Sequence, residues 1–376
     1  MLTKHNPFYL KGYHGADLFC DREDETALLI QNAQNGINTT LLSIRRMGKT
    51  GLIQHAFETL KKDSDWQTIY IDIYATQSLS EFTNQLASAI LKTFPQNKTV
   101  GKRFLDFIKG LSTVISYDPL TGVPEIAFNY NQSKQYEHSL KGLFDFLEKQ
   151  QTPIIIAIDE FQQIANYPEK NTEAILRTII QTLKNITFIF SGSHKHLLLE
   201  MFNSAKRPFF SSTQTISLGS IPKEKYTEFI LKLFNDNKKN IDSNSIEFIL
   251  KWTRTHTYYT QALCNKIFTQ SKSNITKELV FQACDTLLKE QEGVFFQYRN
   301  LLTSSQWNLL KAIAKEDKVF QPTGNTFISK YSLGNPASVK RSLEALVTKE
   351  MVHKETTETE NYYQVYDCFL SRWLER

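Results

Sequence analysis

Cysteine is scarce. There are four in 376 residues (Cys20, Cys264, Cys284 and Cys368), and no two are close enough to form a CxxC pair. No zinc site or disulfide framework is readable from them; they read as unpaired thiols of a reducing compartment. Glycine (14) and proline (10) are also few, so no flexible or proline-rich linker separates the parts of the chain. No apolar run approaches the ~20 residues that cross a membrane; the longest, such as residues 154–158, are of strand length. Met1 to Leu10, with Lys4, His5, Asn6 and Pro7, lacks the apolar stretch of a secretory leader. A soluble, cytoplasmic protein with no membrane partner is expected. Charge of one sign is lacking as well. The balance of 44 Lys and Arg against 39 Asp and Glu leaves +5, which permits contact with nucleic acid without arguing for it.

What the chain does have is ordinary core-forming material, 41% hydrophobic against 22% charged, in a length that suits two or three domains. Residues 19–35 read as a helix entered through Asp21 as N-cap, with Leu28, Leu29 and Ile30 on its apolar side and Gly36 at its end. A buried strand over 38–44, a loop over 45–49, a helix over 50–62, a strand over 68–74 and a helix over 80–94 follow. Residues 95–135 break the alternation. Apolar stretches 114–117 and 125–128 flank Asp118-Pro119-Leu120-Thr121-Gly122-Val123-Pro124, which predicts a hairpin insertion near 112–130. Helix 139–149, strand 153–158, helix 172–183, strand 186–190, helix 195–202 and strand 215–218 restore the pattern. Continuously apolar strands alternating with helices mean a parallel sheet covered on both faces, an α/β core over residues 1–219.

Residues 220–292 read as helical, with Phe229, Leu233, Ile246, Phe248, Ile249, Leu263 and Ile267 as the core of a lid. Residues 293–376 predict helices over 304–314, 326–331 and from Pro336 to about Lys349, the last capped by Asn335, then a β-hairpin over 351–355 and 362–366. Three helices and a β-wing make a winged helix.

Two motifs carry chemistry. Ser43-Ile44-Arg45-Arg46-Met47-Gly48-Lys49-Thr50 follows a strand and opens a helix, and fits the Walker A pattern except for Ser43 in place of the first glycine. The amides from about Arg46 to Thr50 are expected to face phosphates, with the positive helix end behind them. Gly48 allows close backbone approach, Lys49 reaches the β- and γ-phosphates, and Thr50 offers its hydroxyl to Mg²⁺. Pro153-Ile154-Ile155-Ile156-Ala157-Ile158-Asp159-Glu160 is the matching acidic strand end. Asp159 is expected to hold Mg²⁺, mostly through its waters, and Glu160 to act as general base on the attacking water. Ser191-Gly192-Ser193 ends the next strand; Ser193 or Ser191 would sense the γ-phosphate, the alternative being a plain strand-end turn. Arg207 is placed to stabilise transition-state charge from a neighbouring subunit; the alternative is a solvated arginine or a bond to a helix end. Arg45 and Arg46 flank the loop, as contacts to phosphate or partner or as surface residues.

These motifs together resemble the archaeal-type ATPases of the STAND branch of AAA+, in the versions common in Bacteroidetes. The matching stretches are Phe19-Cys20-Asp21-Arg22-Glu23, Arg45 to Ile53, Ile158 to Ile164, Phe190 to Ser193, Met201-Phe202, His256 to Tyr259 and Tyr366 to Phe369. The resemblance implies a P-loop core, a helical lid and a C-terminal winged helix. It places Arg22 and Gly51 at the nucleotide, and brings Tyr258 and Tyr259 from the lid toward the base. Two departures stand out. Thr255-His256-Thr257 replaces a Gly-x-Pro before the paired aromatics, and Ser211-Ser212 stands where the family often has Gly-Arg after Pro208-Phe209-Phe210.

The third helix of the winged region is expected to bury Val339, Leu343, Leu346 and Val347 and to expose Ser338, Arg341 and Ala345. Lys340 and Arg341 face outward, but the wing carries Glu355, Glu358 and Glu360 against Lys354. Residues 296–376 hold 11 Lys and Arg against 9 Asp and Glu, a net of +2, far from a basic stripe. A protein contact or docking onto the core is favoured over DNA. The sequence thus predicts a Mg-dependent switch that binds ATP, hydrolyses it to ADP and couples nucleotide state to the winged helix, with self-association if an arginine acts in trans. The rivals are an ATP-responsive DNA-binding regulator and a scaffold with permanently bound nucleotide.

Overall fold

The structure, a computed structural model, describes residues 6–63, 65–94, 98–111, 113–117, 119–120, 124–128, 133–271, 273–356 and 361–376. The chain divides into two compact units, one of Gly12–Ser220 and the other of Ile221–Arg376 together with residues 6–11.

The first unit runs in order α1 (Glu23–Gln34), β1 (Thr39–Leu42), α2 (Lys49–Asp63), β2 (Gln67–Asp72), α3 (Leu79–Thr93), α4 (Thr99–Lys109), β3 (Thr113–Tyr117), β4 (Pro124–Phe128), α5 (Ser133–Glu148), β5 (Ile154–Asp159), a 3₁₀ turn Phe161–Asn166, α6 (Thr172–Ile180), β6 (Ile186–Gly192), α7 (Lys195–Asn203) and β7 (Gln214–Ser217). Five strands form one sheet in the order β2-β5-β6-β1-β7, and every pairing in it is parallel. The period of two along β5 splits its side chains between the faces. Ile154, Ile156 and Ile158 meet residues of α3, α5 and α7 on one side. Ile155 and Ala157 meet residues of α1 and α2 on the other. Each such fully buried aliphatic side chain contributes about 1.5–3 kcal/mol, which is why this strand lies inside the sheet, between β2 and β6, and not at its edge.

Two expectations are revised here. Asp21 is not the N-cap of the first helix: α1 starts after Arg22, and Asp21 and Arg22 both adopt left-handed backbone (φ 59° and 78°). A helix, α4, lies where only a break in the pattern was expected; Phe104 and Ile108 seal it onto the core. The antiparallel pair β3–β4 is present, although Asp118 and Thr121 to Val123 of its expected turn lie outside the described residues.

The second unit comprises α8 (Lys223–Asp236), β8 (Asn240–Ile241), α9 (Ser243–Trp252), α10 (Thr257–Gln270), β9 (Asn274–Ile275), α11 (Lys277–Asn300), α12 (Ser304–Glu316), α13 (Asn325–Tyr331), α14 (Pro336–Thr348), β10 (Val352–Thr356), β11 (Asn361–Val365) and α15 (Cys368–Leu374). Of the expected helical core, Leu233, Ile246, Ile249, Leu263 and Ile267 are buried, joined by Tyr226, Ile230 and Phe234. Phe8 from the chain start packs its ring 4.8 Å from Phe234 and 6.1 Å from Phe268. Helix α11 runs without a break through residue 292.

Three helices with a β-hairpin, α12 to α14 with β10–β11, form the winged helix. Asn335 caps α14 by accepting from the Ser338 amide, with Pro336 next to it. Val347 is a correction: it is 37% exposed rather than buried. The final helix α15 was not expected. It is seven residues long, and its Phe369 ring lies 4.8 Å from the Tyr259 ring and 5.6 Å from the Trp252 ring. Glu358 and Glu360 of the wing lie outside the described residues.

Arg254, between α9 and α10, ties the two parts of this unit together. Its Nε donates to Asp317 Oδ1 (2.7 Å), one terminal nitrogen to the Val365 carbonyl (2.9 Å) and the other to Ser371 Oγ (2.7 Å). Asp317 is 41% exposed, so the ion pair itself adds little; the bonds to buried backbone and hydroxyl matter more. Arg254→Ala is therefore expected to lower the unfolding free energy by roughly 2–4 kcal/mol, because charge-assisted bonds to groups left buried are lost together. Urea unfolding measures this, and a change under about 0.5 kcal/mol would refute it.

Candidate nucleotide site

The parallel sheet delivers three chain segments to one edge. In register, Leu42 of β1 pairs with Gly192 of β6, and Ile158 of β5 pairs with Phe190. The loop after β1, the end of β6 and the acidic end of β5 therefore emerge side by side at the carboxyl ends of the strands, where ligands bind in such sheets.

The 43–50 loop holds its shape through burial and backbone sign. Ser43 is buried and its hydroxyl donates to the Ile44 carbonyl at 2.7 Å. It is not among the residues with positive φ, whereas Arg46 (63°) and Gly48 (99°) are. The backbone at Ser43 thus does not demand glycine, which explains why this departure from the pattern is tolerated. Positive φ at Arg46 and Gly48, with Met47 between them not so, turns successive amides toward a common concavity suited to anions. Met47 is an anchor, its side chain buried among Leu41, Leu52 and Ile53. Helix α2 starts at Lys49, so its first amides have no intrahelical acceptor. Gly51, in its first turn, leaves room for the Phe19 ring, which a Cβ there would meet at 3.4 Å.

Opposite the loop, Asp159 is buried and ringed by hydroxyls. Thr50 Oγ1 donates to Oδ2 at 3.1 Å, Tyr70 OH to the same oxygen at 2.7 Å, and Ser191 Oγ to Oδ1 at 2.6 Å. Glu160 stands in left-handed backbone (φ 56°). Its Oε2 accepts from Gln162 Nε2 (2.5 Å), Ser193 Oγ (2.9 Å) and the Ser193 amide (3.2 Å). Arg45 Nε in turn reaches Ser193 Oγ at 3.3 Å. A non-glycine residue in this conformation costs of order 1–3 kcal/mol. It is held by its neighbour Phe161, whose ring packs against Phe190, Phe202 and Phe209 at 4.5, 5.8 and 5.3 Å.

Lys49 is 7% exposed. Burial pulls its ammonium below the ordinary lysine range, while Asp159 and Glu160 act to raise it and Arg45 to lower it. Burial likewise pushes the Tyr70 phenol upward, with the Asp159 carboxylate beside it adding to the shift, so Tyr70 is a firm donor. Asp72, across from Asp159 in the β2–β5 register, is raised chiefly by burial.

The other expected residues fall differently. Arg207 pairs with Glu173 at 2.6 Å and Glu200 at 3.6 Å; burial raises the Glu173 carboxyl and Arg207 draws it back. Arg22 is 5% exposed and engaged by Glu25 (2.9 Å) and the Gly219 carbonyl (2.6 Å). It joins the start of α1 to the chain just past β7. Tyr258 opens α10 half-buried, its ring 5.4 Å from Tyr259, while Tyr259 is 3% exposed and committed to the Phe369 contact. Thr255, at the place of the family's glycine, has φ 54°, the backbone that glycine adopts most readily. Tyr70, Gln162 and Gly192 escaped the sequence reading. Tyr70 is two residues from the end of a strand whose side chains alternate, and that position is the one signal that pointed to it.

Among the described residues no group of three or more His, Cys, Asp or Glu is arranged to hold a metal. An all-oxygen pair, Thr50 hydroxyl and Asp159 carboxylate, suits a hard cation that keeps its waters and takes phosphate oxygens as further ligands. No helix among the described residues is long and apolar enough to cross a membrane.

Comparison with known proteins agrees with this architecture. Residues 19–263 match the family described as an ATPase domain predominantly from Archaea, and residues 293–376 match one described as a probable winged helix domain. No curated protein matches. Among solved structures, a Walker-type ATPase of Pyrococcus abyssi superposes with TM-score 0.66 at 18% identity, covering 98% of this chain and 100% of that one. The ORC2 protein of Aeropyrum pernix, in ADPNP–ADP complexes, gives 0.57 at 14% identity over 98% and 95%. The ORC1 protein of the same organism, in complex with DNA, gives 0.51 at 14% over 96% and 93%. At such identities these likenesses speak for the fold. The family match spans well over half of the chain, and with a loop opening α2 against the acidic end of β5 it places the protein in the family of ATPase domains found predominantly in Archaea: this chain is an ATPase.

Proposed function

We propose that the protein is a Mg·ATP-operated switch of the STAND type, in which the Walker A loop 43–50 binds the phosphates and nucleotide state is passed to the C-terminal winged helix. The observation that carries this reading is the approach of Thr50 Oγ1 to Asp159 Oδ2 at 3.1 Å with Lys49 buried beside them. The loop amides from Arg46 to Gly51 cradle the β- and γ-phosphates, and Lys49 supplies positive charge there. Thr50 and Asp159 are the residues that would hold Mg²⁺, which when bound neutralises charge on the phosphate oxygens. Glu160 accepts the proton of the attacking water. Ser193 and Ser191, bonded to Glu160 and Asp159, sit where a change at the γ-phosphate is felt. Arg22 supports the entrance of the site, Tyr258 is the lid's contribution to the base side, and Arg207 is the finger candidate once freed from Glu173. The division proposed is a core over 1–219, of which residues 6–11 belong with the second compact unit, a lid over 220–292 and a winged helix over 293–376.

The coupling is supported by the way the winged helix is fastened. Arg254 reaches Asp317, Val365 and Ser371, and Arg372 Nε donates to the Trp252 carbonyl at 2.8 Å, so a displacement of the lid helices carries the winged helix with it. A groove of about 820 Å³ between α14 and the wing is lined by Phe320, Leu343, Val347, Tyr363, Lys340 and Lys354. Phe320 is 49% and Val347 37% exposed. Exposed apolar groups in a concave, weakly charged face suit a protein partner better than a duplex, whose affinity rests on many cationic contacts.

The test is steady-state hydrolysis of ATP with Mg²⁺ over a range of protein concentrations, comparing wild type with Arg207→Ala. Turnover per chain that rises with concentration and collapses in the variant assigns Arg207 to a neighbouring copy's site. Turnover indifferent to both leaves Arg207 to its ion pairs. No turnover with nucleotide still bound overturns the switch in favour of a scaffold.

A further inference from the structure

The clamp on Glu160 contains a polar side chain that is satisfied at one end only. Gln162 is 5% exposed. Its Nε2 donates to Glu160 Oε2 at 2.5 Å, an assignment that follows from chemistry because an ionised carboxylate only accepts. Its Oε1 is then buried with no hydrogen-bond partner, which costs about 1–3 kcal/mol. A glutamine retained only for packing would satisfy both ends or be replaced by an apolar residue of the same shape.

The space this side chain occupies is made by a glycine. A Cβ on Gly192 would lie 1.9 Å from Gln162 Oε1 and 2.7 Å from Leu198 Cδ1. Gly192 ends strand β6 and is not among the glycines with positive φ. Conformational freedom therefore does not explain it, whereas room for the Gln162 amide does. The features that carry an energetic penalty gather at one point: Glu160 in left-handed backbone, Gln162 with an orphaned carbonyl, and a glycine inside a buried strand.

All three donors to Glu160 converge on Oε2; among the described residues none reaches Oε1. We propose that Gln162 is a positioning residue that, with Ser193, fixes the rotation of the Glu160 carboxylate so that Oε1 is presented to the attacking water, and that Gly192 is required because Gln162 fills the space a side chain would take. This rests on the reading of Glu160 as the general base. Holding a base within a fraction of an ångström of its productive geometry is worth up to roughly 10²-fold in rate.

Four variants test it by kcat, KM and thermal melting: Gln162→Met, Gln162→Ala, Gly192→Ala and the last two combined. Gln162→Met keeps the volume but removes both the donor and the orphaned carbonyl. It is expected to lower kcat by about 10- to 100-fold with KM little changed and with Tm equal to or above wild type. A merely structural residue would not separate activity from stability in this way. Gly192→Ala is expected to lower kcat similarly by displacing Gln162, and the double variant to be no slower than Gln162→Ala alone. Wild-type kcat in Gln162→Met, or a parallel fall of kcat and Tm, overturns the positioning role, and multiplicative losses in the double variant overturn the role of Gly192. Glu160→Gln is measured alongside. If it is inactive while Gln162→Met is normal, only the positioning inference falls; if Glu160→Gln itself is normal, the base assignment falls and this inference with it.

Discussion

Glu160→Gln is expected to lower kcat for ATP hydrolysis by about 10²–10⁴-fold, the range that a positioned general base contributes, while leaving nucleotide affinity within a few-fold of wild type. The replacement is close to isosteric, and its carbonyl can still accept from Gln162 Nε2, Ser193 Oγ and the Ser193 amide. What is lost is the capacity to take a proton. The backbone that holds the residue at φ 56° is fixed by Phe161 and its ring neighbours, not by the carboxylate, so the melting temperature is expected to stay near wild type. Pre-steady-state quench of bound ATP separates the chemical step from binding and release. Turnover within about threefold of wild type, well below the range above, would remove Glu160 from the chemistry and leave its clamp as a purely structural arrangement.

The parts of this molecule that were legible in the sequence are those whose cause is local. Strand β5 announces itself because five consecutive apolar residues can only be buried on both faces. The 43–50 loop does so because Gly-Lys-Thr sits between a strand and a helix. Helix α14 does so because asparagine followed by proline is a start signal that needs no tertiary partner, and Asn335 indeed accepts from Ser338. What stayed hidden depends on contacts far apart in the chain. Tyr70 meets Asp159 across 89 positions and Arg254 meets Ser371 across 117, and no spacing rule records such meetings. Asp21 has the composition of an N-cap, yet the left-handed turn at Asp21 and Arg22 carries the chain past it before α1 begins. Val347 fits the apolar period of α14 but falls on the side that opens into the wing groove, where it is more than a third exposed. Gly192 reads as an ordinary strand-end turn until the amide beside it is seen.

Lys49→Ala is expected to abolish measurable hydrolysis and to remove the stabilisation that ATP confers on the wild-type protein. Lys49 is 7% exposed, and burial disfavours its charge even though Asp159 and Glu160 lie close enough to favour it. An ammonium held in that balance gains most when a phosphate arrives, because the anion offsets a desolvation cost that has already been met by folding. Deleting it leaves the carboxylates of Asp159 and Glu160 facing the incoming phosphate without the ammonium that they act on, so binding suffers twice. Without nucleotide the two effects of deletion oppose each other, relief of a buried charge against loss of a counter-ion, and the melting temperature is expected to move little. With saturating Mg·ATP the contrast is large. Wild type gains stability as RT ln(1 + [L]/Kd), about 2.7 kcal/mol at a hundredfold excess over Kd, and the variant gains little or none. Thermal melts of both proteins with and without Mg·ATP read this directly. An equal upward shift in the two would show that the nucleotide's phosphates do not lie at the amino end of α2.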